Sequence, residues 1–192
     1  IITGTILNPL DSAGLIHYLP RHKGASWRNK SCYVYGVPNF RTPRRTAEQL
    51  PAFLEENKPK PNTSLFNIFV FHMALDIPEL KPPGMEAEAQ PELLPEGFNY
   101  YAGGHIHAPH KFSFKDGLLV YSGCTETVNY DDAKTEKGFY HVEVNEKGVP
   151  ELQRIKLETP RRFIVLDHDY TGLTPAKITE KAVQLVKGAD ED

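Results

Sequence analysis

Ser64 to Leu75 reads SLFNIFVFHMAL, a run that is apolar almost throughout and aromatic or β-branched at most positions from Phe66 to Phe71. Such a run predicts a strand buried on both faces, with His72 at its C-terminal end. Upstream, SCYVYGVPNF predicts a strand stopped by Gly36-Val37-Pro38. Downstream, NYYAGG is a short strand, and KFSFKDGLLVYSG alternates as a hairpin turning through Asp116-Gly117. GFYHVEVNEKGVPELQRIKLE predicts a second hairpin turning at Asn145–Gly148, and RRFIVLDHD predicts one more strand. Helical spacing is rarer. Thr46–Asn57 predicts a helix, with Thr46 and Gln49 at capping-box spacing and Pro51 working against it. Thr174 and Pro175 open another as N-cap and first residue, with Ile178, Ala182, Leu185 and Val186 along one face and Gly188 as C-cap. Residues 1–30 are loop-like apart from GLIHYL, and NKPKPNTS is a turn-rich linker. Residues 76–98, DIPELKPPGMEAEAQPELLPEGF, are Pro-rich and acidic, and an excursion of that length in a compact domain is usually functional or mobile.

Many strands and few helices in mixed order predict an α/β chain of the α+β kind. The pattern restarts as strand-then-helix near Thr159-Pro160, which places a boundary there. Composition adds exclusions. The 192 residues are ample for a core, with 40% apolar and 24% charged residues. No run approaches the roughly 20 apolar residues of a membrane span. The net charge of −3 gives no global basic field, so nucleic acid would be held locally or through metal ions. Two cysteines, Cys32 and Cys124, lie far apart and form no zinc motif, and a reducing cytoplasm is expected. The start IITGTILNPL has neither a Met nor a charged signal region, and VKGADED follows a helix directly. Both ends are therefore expected to continue into a longer chain.

Of eight histidines, His72, His105 and His107 fall where strands end, the usual place for ligand sites in open sheets. His105-Ile106-His107 reads either as a strand end with both rings on one face or as a tight loop sending the rings to two points. Gly103 and Gly104 favour the loop. Neutral imidazole is the commonest ligand of first-row metals. His110 would extend the set to HxHxxH, but Ala108-Pro109 turns the chain and Lys111 sets a cation beside it. His17, His22, His141 and His168 read as surface or hydrogen-bonded core residues.

FVFH, then GGHIH about thirty residues later, then YSG resemble the second half of a calcineurin-like metallophosphoesterase. NYYAGGHIHAPHKF, LLVYSGCTET and KGFYHVEV narrow the resemblance to the nuclease subunit of the Mre/Rad (SbcCD) double-strand-break repair complex, in its archaeal form. The resemblance runs over about residues 10–190. It implies the second half of a two-sheet αββα sandwich over residues 1–159 and the start of a small, truncated DNA-capping domain over 160–192. It implies a two-ion manganese site in the complete protein, with His72 and His105 on one ion and His107 on the other. Ser122 and Gly123 would continue the site loop. Ser122 and Lys111 are candidate substrate contacts, and Arg21, His22, Lys23 and Arg28 are further cations open to phosphate.

The family's first three motifs, Asp-x-His, Gly-Asp and Gly-Asn-His-Asp, do not occur in this sequence, and the chain is expected to begin just after the third. Those motifs supply the carboxylates. Three neutral imidazoles cannot by themselves offset two divalent ions about 3.5–4 Å apart, so this segment alone is expected to hold at most one ion weakly and to be inactive. The resemblance further implies DNA ends or single strands as substrate, a coiled-coil ABC-type ATPase as partner, and a homodimer. Two other readings stand beside this one. One is another calcineurin-like phosphodiesterase or phosphatase. The other is a non-catalytic DNA-binding or scaffold remnant of the fold.

Overall fold

The computed structural model describes residues 7–80, 84, 86–161 and 163–189. A short helix α1 (Leu7–Ser12) leads to strands β1 (Ser26–Arg28) and β2 (Cys32–Gly36), helix α2 (Pro43–Asn57) and strand β3 (Phe66–His72). Then follow β4 (Tyr100–Gly104), β5 (His110–Phe114), β6 (Gly117–Tyr121), β7 (Gly138–Val144), β8 (Pro150–Lys156) and α3 (Pro175–Ala189). One six-stranded sheet runs β1-β2-β3-β4-β6-β5, and β7 and β8 form a two-stranded sheet of their own. β2, β3, β4 and β6 are parallel neighbours, and the antiparallel β1 and β5 form the edges. This is the mixed α+β architecture the strand pattern predicts.

The apolar run of β3 is covered fully on one face only. Asn67, Phe69 and Phe71 are buried, whereas Val70 is 36% exposed. An unbroken apolar run cannot report which face is covered, because both faces look alike in sequence. The buried face packs on an aromatic cluster. Tyr35, Phe69, Phe98 and Tyr101 sit with ring centroids 5.3–6.3 Å apart, in stacked, tilted and edge-on pairs. Two phenol groups are anchored to main chain: Tyr101 Oη donates to the Pro95 carbonyl at 2.7 Å and Tyr121 Oη to Met73 at 2.9 Å. Buried Asn67 satisfies both ends of its amide, accepting from Asn62 N–H at 2.8 Å and donating to the Asn62 and Leu65 carbonyls. It thereby pins the linker before β3.

Several local expectations shift. α2 starts earlier than the capping-box spacing predicts. Thr42 is the cap, its hydroxyl accepting from Arg45 N–H at 3.3 Å, and Pro43 opens the helix. Thr46 is instead buried inside, donating to the Thr42 carbonyl at 2.9 Å. The β5–β6 turn is Lys115-Asp116, since Phe114 pairs with Gly117. Lys115 adopts φ 51, and Gly117 is needed instead for its close approach to Phe98 and Asn99 main chain. β1 and α1 lie in the stretch that reads as loop.

Among the described residues 161–170 there is no strand. Phe163, Ile164 and Leu166 are about half exposed, and an apolar segment without a pairing partner has no ladder to join. α3 begins at Pro175 as expected but runs through Gly188 rather than stopping at it. Ile178, Ala182 and Leu185 are half-buried and Val186 is exposed. No described helix is long and apolar enough to cross a membrane.

Candidate functional site

Parallel pairing places the histidines. β3 and β4 end together, with His72 opposite Gly104. His105 is therefore the first residue beyond the C-terminal end of β4, beside the last residue of β3. The His72 and His105 rings meet edge-on with centroids 5.4 Å apart. The glycines act through space and not through unusual torsions. Neither has a positive φ; a β-carbon on Gly103 would sit 2.7 Å from the Tyr121 ring, and one on Gly104 would sit 2.6 Å from His72 Nδ1. The left-handed torsion falls on His105 itself, at φ 88. A non-glycine residue held there is strained, and such strain concentrates at functional positions. Ile106 is buried between the two half-exposed imidazoles and anchors the HIH segment in the core.

His107 is held from behind. Its Nδ1 lies 2.8 and 2.9 Å from the two carboxylate oxygens of Asp132, which is buried. Asp132 belongs to a 3-10 turn, Tyr130–Lys134, closed by a reciprocal cap with Asn129. Its Oδ2 also accepts from the Val128 and Asn129 amides at 3.0 Å each. Burial works to raise the carboxyl pKa, but the hydrogen bonds from His107, Asn129 and Val128 outweigh it and hold the group below its usual value. A carboxylate at Nδ1 fixes the proton there and leaves Nε2 as the donor nitrogen. Lys137, also buried, caps the turn by donating to the Asp132 and Thr135 carbonyls.

The surrounding loops converge on the same end of the sheet. Gly123, at φ 79, brings the chain after β6 against His107, where a β-carbon would lie 2.9 Å from the His107 carbonyl. Cys124 N–H donates to that carbonyl at 3.0 Å, and the Cys124 carbonyl accepts from Gly138 N–H at 3.2 Å. Arg154 on β8 donates to the Ser122 carbonyl at 2.5 Å and stacks over Tyr140, tying the small sheet to the loop. Partial desolvation, then the proximity of His105 and His107, lower the His72 pKa against the opposing pull of Glu88, a net shift that favours the neutral ring.

His72 and Ser122 both line a cavity of about 560 Å³ along the half-open sheet face, with Val70, Tyr100, Ala102 and Val120. Lys111 stands exposed on edge strand β5 and does not line it. His110 lies parallel to the Phe112 ring, centroids 5.9 Å apart. The other nominated cations sit elsewhere. Arg21 and His22 face Asp11, at 3.8 and 2.9 Å. Lys23 and Arg28 line a separate cleft with Lys58 and Lys60, near the N-terminal ends of β2 and β3. Among the described residues, no three His, Cys, Asp or Glu side chains stand close enough to enclose a metal ion. In donor type the site suits a first-row metal, and in number it offers part of a coordination shell.

Two carboxylates at the site escape sequence reading. Asp132 leaves a faint signal, the N-x-x-D spacing of its cap. Glu88 leaves none, standing among many acids in a Pro-rich stretch.

No protein-family model matches the chain. It is similar to the DNA double-strand break repair protein Mre11 of Methanopyrus kandleri, 27% identical over 177 residues, or 84% of this chain and 38% of the relative. The Mre11 protein of Methanocaldococcus jannaschii is 42% identical over 73 residues, 35% of this chain and 20% of the relative. That of Saccharolobus solfataricus is 25% identical over 173 residues, 87% and 42% respectively. These matches bear out the resemblance read from the sequence. The chain spans less than half the length of each of these curated relatives.

Proposed function

We infer that the chain is part of a metal-dependent DNA nuclease of double-strand-break repair, of the Mre11 kind, and that it contributes the histidine side of a two-ion manganese site. The observation that carries this reading is the register of β3 with β4, which brings His72 and His105 edge to edge while Asp132 holds His107 with Nε2 as donor. His72 and His105 would hold one ion and His107 the other. Bound there, the ions would supply Lewis-acid activation for phosphodiester hydrolysis. The chain's own residues orient and insulate. Ile106 fixes the spacing of the two ligands, Asp132 fixes the His107 tautomer, and Arg154 steadies the loop carrying Ser122.

In the complete protein the substrate is DNA, as ends or single strands held through phosphates without sequence preference. A coiled-coil ABC-type ATPase and a second copy of the nuclease are its partners, and residues 160–192 open its DNA-capping domain. Its setting is cytoplasmic. Ser122, which lines the cavity beside His72, and Lys111, exposed on edge strand β5, would be substrate contacts. One observation favours a second reading, a DNA-binding remnant without catalysis: no three ligating side chains converge among the described residues.

Calorimetric titration of the chain with Mn2+ tests the proposal. One weak site is expected, abolished by H72A or H105A, with no cleavage of linear DNA. Tight binding of two ions would overturn the half-site reading. Undiminished binding in both variants would remove the histidines from it.

A further inference from the structure

Glu88 is carried by the acidic Pro-rich segment between β3 and β4, yet it is among the few buried charges of the described residues, 9% exposed. A carboxylate buried so far needs specific partners. One is main chain: Oε2 accepts from Ala74 N–H at 3.0 Å, while the Ala74 carbonyl accepts from Glu88 N–H at 2.8 Å and Ala89 N–H at 3.2 Å. Side chain and backbone of Glu88 thus clamp the residue two places beyond His72. The same Oε2 faces His105, 3.5 Å from its Nε2.

The arrangement mirrors the other half of the site. Asp132 is hydrogen-bonded to Nδ1 of His107 at 2.8 Å, whereas Glu88 stands at ion-pair distance, 3.5 Å, from Nε2 of His105. Each imidazole has its own buried carboxylate, on opposite ring nitrogens. A ring nitrogen that faces a carboxylate carries the proton, and the other becomes the donor. The His105 backbone, held at φ 88, carries the ring into this position.

We propose that Glu88 is a positioning residue that holds His105 with its proton on Nε2, so that Nδ1 is the nitrogen available to a ligand. The assignment rests on the metal-site reading only for its consequence, since the tautomer exists without any metal. It gives the acidic segment a task, delivering one carboxylate to the strand ends.

The test is long-range proton–nitrogen correlation on the chain labelled with 15N-histidine, at pH 8. Wild-type His105 should carry its proton on Nε2 and His107 on Nδ1. In E88A, His105 should become a mixture of tautomers while His107 stays unchanged. In E88Q the amide oxygen can still accept, so the wild-type pattern should return. Co2+ titration followed by absorption should show affinity reduced about 10–100-fold in E88A. A wild-type His105 protonated on Nδ1, or an E88A spectrum identical to wild type, overturns the proposal. Should E88A fail to fold, the wild-type and E88Q spectra still decide it. If the tautomers are as stated but Co2+ does not bind the wild-type chain, the metal reading fails and the Glu88 assignment stands.

Discussion

At the scale of single residues, the strain at the site is concentrated in one torsion. His105 carries φ 88 although two glycines precede it, and neither glycine takes a positive φ. The sequence shows the glycines and the histidine but not the division of labour, which depends on how closely Tyr121 and His72 approach the β4 backbone. The left-handed region costs a non-glycine residue roughly 1–2 kcal/mol. Replacing His105 by glycine should therefore stabilise the chain by about 1 kcal/mol relative to H105A, measured by urea unfolding, while both variants lose the ligand. Equal stability of the two would mean the surrounding packing, and not the torsion, sets the cost.

At the scale of elements, most strands were legible because their apolar runs or alternation are strong, whereas β1 and the chain between the strands were not. β3 and β4 stand out in sequence, but the clamp of Glu88 on Ala74 joins residues 14 apart through a segment with no periodicity. The strand expected over residues 161–169 marks the opposite error: among the described residues of that stretch, apolar content was present and a pairing partner was not. β4 itself carries a pH signature. Burial pushes the phenols of Tyr100 and Tyr101 up to about 12, and burial also raises Tyr121 on β6 and Tyr35 on β2. The folded chain then keeps protons that the unfolded chain releases near pH 10. That stability is fully present below pH 10 and is lost as pH rises toward 12. The urea midpoint should fall steeply across that window, and Y101F should flatten the slope. A midpoint independent of pH between 10 and 12 would contradict the burial of these rings.

At the scale of the whole molecule, the candidate site lies at one end of the parallel strands, where three separate loops meet: the HIH segment after β4, the Ser122–Cys124 turn after β6, and the capped turn at Asp132. The small β7–β8 sheet braces the second of these through Arg154. Cys124 sits at that junction, its amide bonded to the His107 carbonyl and its own carbonyl to Gly138, and the residue is only 8% exposed. Its sulfur is thus a built-in clock for the assembly. An alkylating or disulfide reagent reaches it only when the loops part, so its rate of modification reports how often the His107 loop comes free. Cys32, partly exposed at the start of β2, supplies a reference on the same chain. One thiol should be consumed quickly and one slowly under native conditions, and saturating Mn2+ should slow the second further. Two equal rates would mean the loops round His107 are open much of the time, and that the site is assembled by its ligand and not in advance of it.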